Sequence, residues 1–173
     1  MTIRHSLLAL LADQPAHGYG LKSSFERTTA GTWPLNVGQV YTTLGRLERD
    51  GLVSSEGDEH TQRQTWRLTE AGRAALHVWY DSPVEEEPPS RNELALKVLL
   101  AVAADSVDVS AILRSQRMAT MDRLQRYTRE KMGADPDRDL TWLLLLDSLI
   151  LRAEAEIRWI DLCEERLRAR GSR

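Results

Sequence analysis

Apolar positions in the first half of the chain fall into short, separately punctuated periods. Ile3, Leu7, Leu8 and Leu11 share one helical face, and Gln14–Gly18, carrying Pro15 and Gly18, breaks the pattern. Leu21 and Phe25, spaced i, i+4 and flanked by Lys22 and Arg27, predict a second helix that Gly31 and Pro34 interrupt. From Val37 to Val53 the two faces differ chemically. Val40, Leu44 and Leu47 form an i, i+4, i+7 apolar stripe, while Gln39, Thr42, Thr43, Arg46 and Arg49 occupy the remaining surface. Gly51 supplies a left-handed stop, and Leu52–Val53 opens a β-like run. Leu52–Gly57 and Gln64–Thr69 read as strands around a polar tip at 58–63, and Thr69 as the N-cap of a helix running through Ala75 to about Trp79. Helix, helix, helix, hairpin predicts a winged helix-turn-helix over residues 1–80.

The second half has a different grain. Asp81 to Glu93 contains three Pro and the run Glu85–Glu87, which oppose regular helix and predict a linker at 81–91. Residues 92–173 predict an all-helical domain, with helices near Asn92–Ala104, Ser110–Met132 and Leu140–Ala169 and a turn at Gly133–Asp139. Leu143, Leu146, Ile150, Ile157 and Ile160 describe a seam that a partner helix could cover, and Ile3, Leu7 and Leu11 offer a second candidate dimer surface. For each stripe the alternative is a place in the core of a monomer. The fold class expected is therefore mainly α: an N-terminal winged helix-turn-helix of three helices plus a β-hairpin wing, followed by an α-helical C-terminal dimerisation domain.

Charge narrows the function. Residues 1–80 carry eight basic and eight acidic side chains, and the whole chain has a net charge of −3. Nonspecific coating of nucleic acid calls for a strongly basic domain, so this balance excludes it, but it leaves room for a few Arg and Lys gathered on one surface. The polar face of residues 37–49 is such a surface, because Gln, Thr and Arg are the side chains that meet base edges and phosphates in a groove. A single Cys163 excludes an intrachain disulfide and points to a reduced, cytoplasmic protein with a passive thiol. The longest apolar runs, near 94–104 and 140–151, are broken by Lys97 and Asp147 and fall short of the ~20 residues of a membrane span. No nucleophile stands in a motif beside His17, His60 and His77 lack zinc-ligand spacing, and Gly18-Tyr19-Gly20 is too short for a phosphate loop. Neither an enzyme, a metal nor a cofactor is expected.

Three linked segments resemble one family. HGYGLKSSFE from His17 to Glu26, GQVYTTLGRLERDGLV from Gly38 to Val53 and TWRLTEAGR from Thr65 to Arg73 are similar, in order and spacing, to the PadR-type transcriptional regulators, and RNELALKVLLA from Arg91 to Ala101 resembles the start of the helical C-terminal domain in the longer subfamily. That resemblance implies a homodimer binding double-stranded operator DNA, usually as a repressor, and often releasing it on binding a small molecule. The candidate DNA contacts are Tyr19, Lys22, Gln39, Tyr41, Thr42, Thr43, Arg46, Arg49 and Arg63. Gln39 and Thr42, beside Tyr41, depart from the family's common residues, so base preferences do not carry over. The wing has His60 and Thr61 where relatives carry basic residues, leaving Arg63 beside Asp58 and Glu59. Five Trp, with Met118, Met121 and Met132, suggest a site for a small aromatic effector, with Trp142 and Trp159 as candidates. At 1.5 Å per residue these two Trp stand about 25 Å apart on one helix, so only an antiparallel crossing in a dimer could unite them. The alternative function is a winged-helix module that docks a protein partner. Its DNA binding would be weak or insensitive to salt, whereas a regulator's would fall steeply with salt.

Overall fold

The structure is a computed structural model that describes residues 3–57, 64–84, 92–104 and 107–171. It separates into two compact units, Met1–Glu85 and Glu86–Arg173.

In the first unit α1 (Ile3–Asp13), β1 (Ala16–His17), α2 (Gly18–Thr28), α3 (Val37–Arg49), β2 (Val53–Glu56), β3 (Thr65–Leu68) and α4 (Glu70–Asp81) follow in order. Local chemistry sets their ends. Asn36 caps α3 by accepting from the Gly38 amide at 2.8 Å, Gly51 ends it at φ +73°, and Thr69 caps α4 by accepting from the Gly72 amide at 3.0 Å. The strands form an antiparallel sheet in the order β1-β3-β2, with Ala16 opposite Trp66 and Val53 opposite Leu68. β1 was not expected from the sequence, because two residues are too short to show a period of two. Its second residue, His17, also occupies the N-cap position of α2 without a side-chain cap. Instead the ring Nδ1 lies 3.0 Å from the Gln64 carbonyl, tying the start of α2 to the approach of β3.

Leu7, Leu8, Leu11, Leu21, Phe25, Val40, Leu44, Leu47, Val53, Trp66 and Leu76 make one core beneath this sheet and the four helices. The expectation that Leu7 and Leu11 lie on a dimer surface is corrected here: both are buried inside the unit, and Ile3 packs against the same cluster. The buried leucines of α1 are covered by α2, α3 and α4 of their own unit.

The second unit contains α5 (Glu93–Ala103), capped by Asn92, α6 (Val109–Gly133), capped by Asp108, and α7 (Leu140–Gly171). Its small core joins Val98, Leu113 and Ile160, with Leu94, Ile112, Trp159 and Leu167 packed around it. On α7 the buried positions are Leu146, Ala153 and Ile160, one every seven residues, and they face α6. The expected dimer seam is corrected at two of its five positions. Leu146 and Ile160 belong to the core of their own chain, and Leu143, Ile150 and Ile157 beside them are half-buried. The stripe left open lies on the opposite side of α7, at Leu140, Leu144, Leu151 and Leu162, and Leu96, Leu99 and Leu100 of α5 are open as well.

A polar knot locks α6 to α7. Glu156 accepts hydrogen bonds from Gln116 at 2.9 Å, from Arg123 at 2.8 Å and from the Thr120 hydroxyl, while Arg117 reaches Asp161 at 2.7 Å and Glu164 at 3.1 Å. Burial pushes the Glu156 carboxyl up, but the bonds from Thr120 and Gln116 and the charge of Arg123 outweigh it and hold it below the ordinary carboxylate value.

Candidate nucleic-acid interface

Helix α3 turns Val40, Leu44 and Leu47, all at 0% exposure, into the core of the first unit. The 100° step per residue then puts Gly38, Thr42, Gly45, Arg46 and Arg49 on the opposite side, with Gln39 at one edge. All of these are exposed. Among the described residues the Gln39 amide and the Arg46 guanidinium have no hydrogen-bond or ionic partner within the chain. Arg49 lies 3.4 Å from Asp50, but the closer partner of Asp50 is Arg4 on α1, at 2.7 Å. The hydrogen bond from Arg4 holds the Asp50 carboxyl below its ordinary value, so an anion stays fixed at the C-terminal end of α3 and leaves Arg49 three-quarters exposed. An exposed helix with a short polar centre and exposed arginines can enter a major groove, where such side chains contact base edges and phosphates.

The other candidates fall elsewhere. Tyr19, in the first turn of α2, is 67% exposed and stands free of the core. Tyr41 is half-buried, with its ring over Gly18, where an added Cβ would come within 2.7 Å of it. That close approach packs Tyr41 of α3 against the start of α2. Lys22 is turned back along α2 to Glu26, 2.7 Å from each carboxylate oxygen, and Glu26 also accepts from the Leu35 amide at 3.2 Å. The lysine thus braces the loop before α3. Thr43 is half-buried on the flank, its hydroxyl donating to the Gln39 carbonyl at 2.7 Å. Arg63, with His60 and Thr61, lies outside the described residues.

In the helical unit Trp159 packs against the Val98–Leu113–Ile160 cluster, and Trp142 is half-buried seventeen residues earlier on the same helix. Met118 and Met132 are 70% and 81% exposed. A cleft lined by indoles does exist in the first unit. It has a volume of about 270 Å³, and Trp33, Trp79, Phe25 and Leu10 are among the residues that line it. Trp79 also stacks on His5, with ring centroids 5.2 Å apart and planes 4° from parallel. Nothing in the sequence pattern singles these Trp out, because they meet only when α1, α2 and α4 come together. Cys163 is half-buried, and burial raises its thiol pKa against the opposing charge of Arg166, which keeps it a poor nucleophile. Among the described residues no three His, Cys, Asp or Glu gather where a metal could bind, and no helix is long and apolar enough to cross a membrane.

A unit of three helices, a strand hairpin and a closing fourth helix, with an exposed, Arg-bearing third helix, is a winged-helix DNA-binding protein in form. Comparison with known proteins gives the family. Residues 7–78 match the transcriptional regulator PadR-like family, and residues 90–168 match the virulence activator alpha C-terminal domain. A transcriptional regulator of Mycobacterium tuberculosis, Rv3488, is 36% identical over 99 residues, which span 56% of this chain and 82% of that protein. A second, the probable transcriptional regulator Rv1176c, is 28% identical over 96% of this chain and 98% of its own length. Bacillus subtilis PadR has the same fold, with TM-scores of 0.68 for its complex with operator DNA and 0.72 for its complex with p-coumaric acid. Both alignments are 18% identical, covering 92% of this chain and 94% of PadR in the first and 93% and 95% in the second. The chain belongs to the PadR-like family of transcriptional regulators, in the longer form that carries a helical C-terminal domain.

Proposed function

We propose that the protein is a homodimeric repressor that binds a palindromic double-stranded operator through α3 and lets it go when a small apolar or aromatic molecule binds. It works without catalytic chemistry, cofactor or metal. The observation that carries the DNA reading is the exposed face of α3, where Gln39, Thr42, Arg46 and Arg49 stand opposite the buried stripe and Arg46 has no competing anion among the described residues. The operator complex of B. subtilis PadR supports it.

One recognition helix covers only a few base pairs, so useful specificity requires two, about 34–36 Å apart for successive major grooves on one side of the duplex. Open apolar surface on α5 and α7 supports assembly through the helical unit. Binding of a small aromatic molecule is supported by the p-coumaric acid complex of B. subtilis PadR. In this chain Trp33 and Trp79 replace Trp142 and Trp159 as the indoles best placed for such a molecule, since they line an open cleft. A hundredfold loss of operator affinity requires the ligand to prefer the non-binding form by about 2.7 kcal/mol.

The test is operator binding at two salt concentrations with the parent and Arg46→Ala. The variant is expected to bind more weakly. If Arg46 holds a phosphate, the salt slope falls by about one, and if it holds a guanine, discrimination at one base pair relaxes. Equal affinity of the variant and the parent for operator and random DNA at both salts overturns the assignment.

A further inference from the structure

Along the outermost line of α3 the side chains are unusually small. Thr42 lies opposite Val40, Leu44 and Leu47, and its neighbours on the same line, four residues before and three after, are Gly38 and Gly45. Gly38 sits in the first turn, beside the Asn36 cap that needs its amide. Gly45 has no such duty. It lies in the middle of a helix, its φ is not positive, and a Cβ built on it meets nothing within 4 Å. Alanine would fit there and favour the helix, so folding gives no reason for glycine. Bare backbone on both sides of Thr42 lets the helix axis come closer to a groove floor than the longer Gln39 and Arg46 alone would require.

The Thr42 hydroxyl is already committed. Its Oγ1 donates to the Gly38 carbonyl at 2.8 Å, the bond that a threonine in a helix makes to the fourth residue before it. With its only proton engaged, this hydroxyl has none to give to N7 or O6 of guanine, N7 of adenine or O4 of thymine. What Thr42 presents outward is a methyl group and oxygen lone pairs.

We propose that Thr42 is a specificity-determining residue that reads the C5-methyl of thymine with its own methyl group, and that Gly45 is kept small so that this short side chain can reach it. The inference rests on α3 being the DNA-reading helix. Gln39 and Arg46, longer and unpartnered, flank the contact and suit adenine and guanine, each of which offers a bidentate edge.

The test uses the full chain and a site selected from a random-sequence duplex pool, in which each thymine of the half-site is replaced in turn by deoxyuridine, removing only the C5-methyl. In the parent one replacement per half-site weakens binding about fourfold, the weight of one buried methyl group. Thr42→Val keeps that thymine-over-uracil ratio, and Thr42→Ser brings it close to one. Gly45→Ala raises Tm yet weakens binding at least about fivefold. That combination of opposite signs is not what a merely structural role would give. The proposal is overturned if Thr42→Ser keeps the ratio, if Thr42→Val loses it, if no thymine is sensitive, or if Gly45→Ala binds as the parent does. A parent that enriches no sequence at all would remove the DNA-binding reading itself, whereas enrichment with any of the four results above removes only the role of Thr42.

Discussion

The two units bury their apolar side chains to different degrees. In the winged-helix unit a core of a dozen residues, from Leu7 to Leu76, is closed by four helices and a sheet, and what faces outward on α3 is polar. The helical unit has three thin elements and a smaller core, in which Val98, Ala101, Leu113, Leu146, Ala153 and Ile160 are buried. It leaves Leu99, Leu100, Leu144 and Leu151 each more than 60% exposed. The winged-helix unit closes a larger core, whereas the open leucines of the helical unit cluster on single faces of α5 and α7, the surface on which the proposed assembly rests. Four experiments bear on that contrast.

The largest effect is expected from Leu99→Asp combined with Leu100→Asp. Charges on the open face of α5 remove no intrachain core contact, so the chain should stay folded but sediment as a monomer. Operator affinity should then fall by about a hundredfold or more as the avidity of two linked heads is lost. A variant that remains dimeric moves the interface to another face, with the Leu144–Leu151 stripe of α7 the next to be tested.

Leu44→Ala tests the opposite property in the first unit. Leu44 is at 0% exposure among Leu8, Val40 and Leu47, and truncating it should lower stability by about 2–5 kcal/mol while leaving the oligomeric state unchanged. Chemical denaturation with sedimentation in parallel separates the two quantities. Loss of the dimer in a still-folded variant would show that the core of the first unit also serves assembly.

A smaller loss, about 1–3 kcal/mol, is expected from Gly72→Ala. A Cβ there would lie 2.0 Å from the Leu52 carbonyl oxygen and 2.7 Å from Leu68, so α4 must shift away from the β2 end of the sheet. Unchanged Tm would mean that this junction is looser than its geometry implies.

The mildest effects come from pH, and they too distinguish the units. His5 has its pKa lowered by burial and by Arg4, so its neutral form is favoured in the fold. Its contribution is present above about pH 6.5 and is lost as pH falls from there towards the lower folded value. Glu156, held below its ordinary value, stabilises the α6–α7 pair above that ordinary carboxylate value, and this is lost as pH falls through the depressed one. The winged-helix unit should therefore soften first on mild acidification and the helical pair only in stronger acid, followed by near-ultraviolet and far-ultraviolet circular dichroism. His5→Phe should remove the first step and Glu156→Gln the second. Identical acid profiles for parent and variants would exclude both assignments.

Most of the architecture and the face of α3 were legible from the sequence alone, because local rules write them. The spacing of Val40, Leu44 and Leu47 fixes which side of α3 is buried whatever covers it, and Gly51 and Thr69 act on their own backbone. Placement of charges and aromatic rings was not legible in the same way. Lys22 could have faced DNA or Glu26, and the loop that brings Leu35 to Glu26 decides for the latter. Tyr41 follows the position of Gly18, and the Trp33–Trp79 cleft follows the packing of three helices. On α7 the period showed one apolar seam but not whether its own α6 or a partner would cover it. Only the tertiary structure decided that Leu146, Ala153 and Ile160 turn inward and Leu144 and Leu151 stay open, because a helix's periodicity depends on its own residues while its choice of inner face depends on where its neighbour lies.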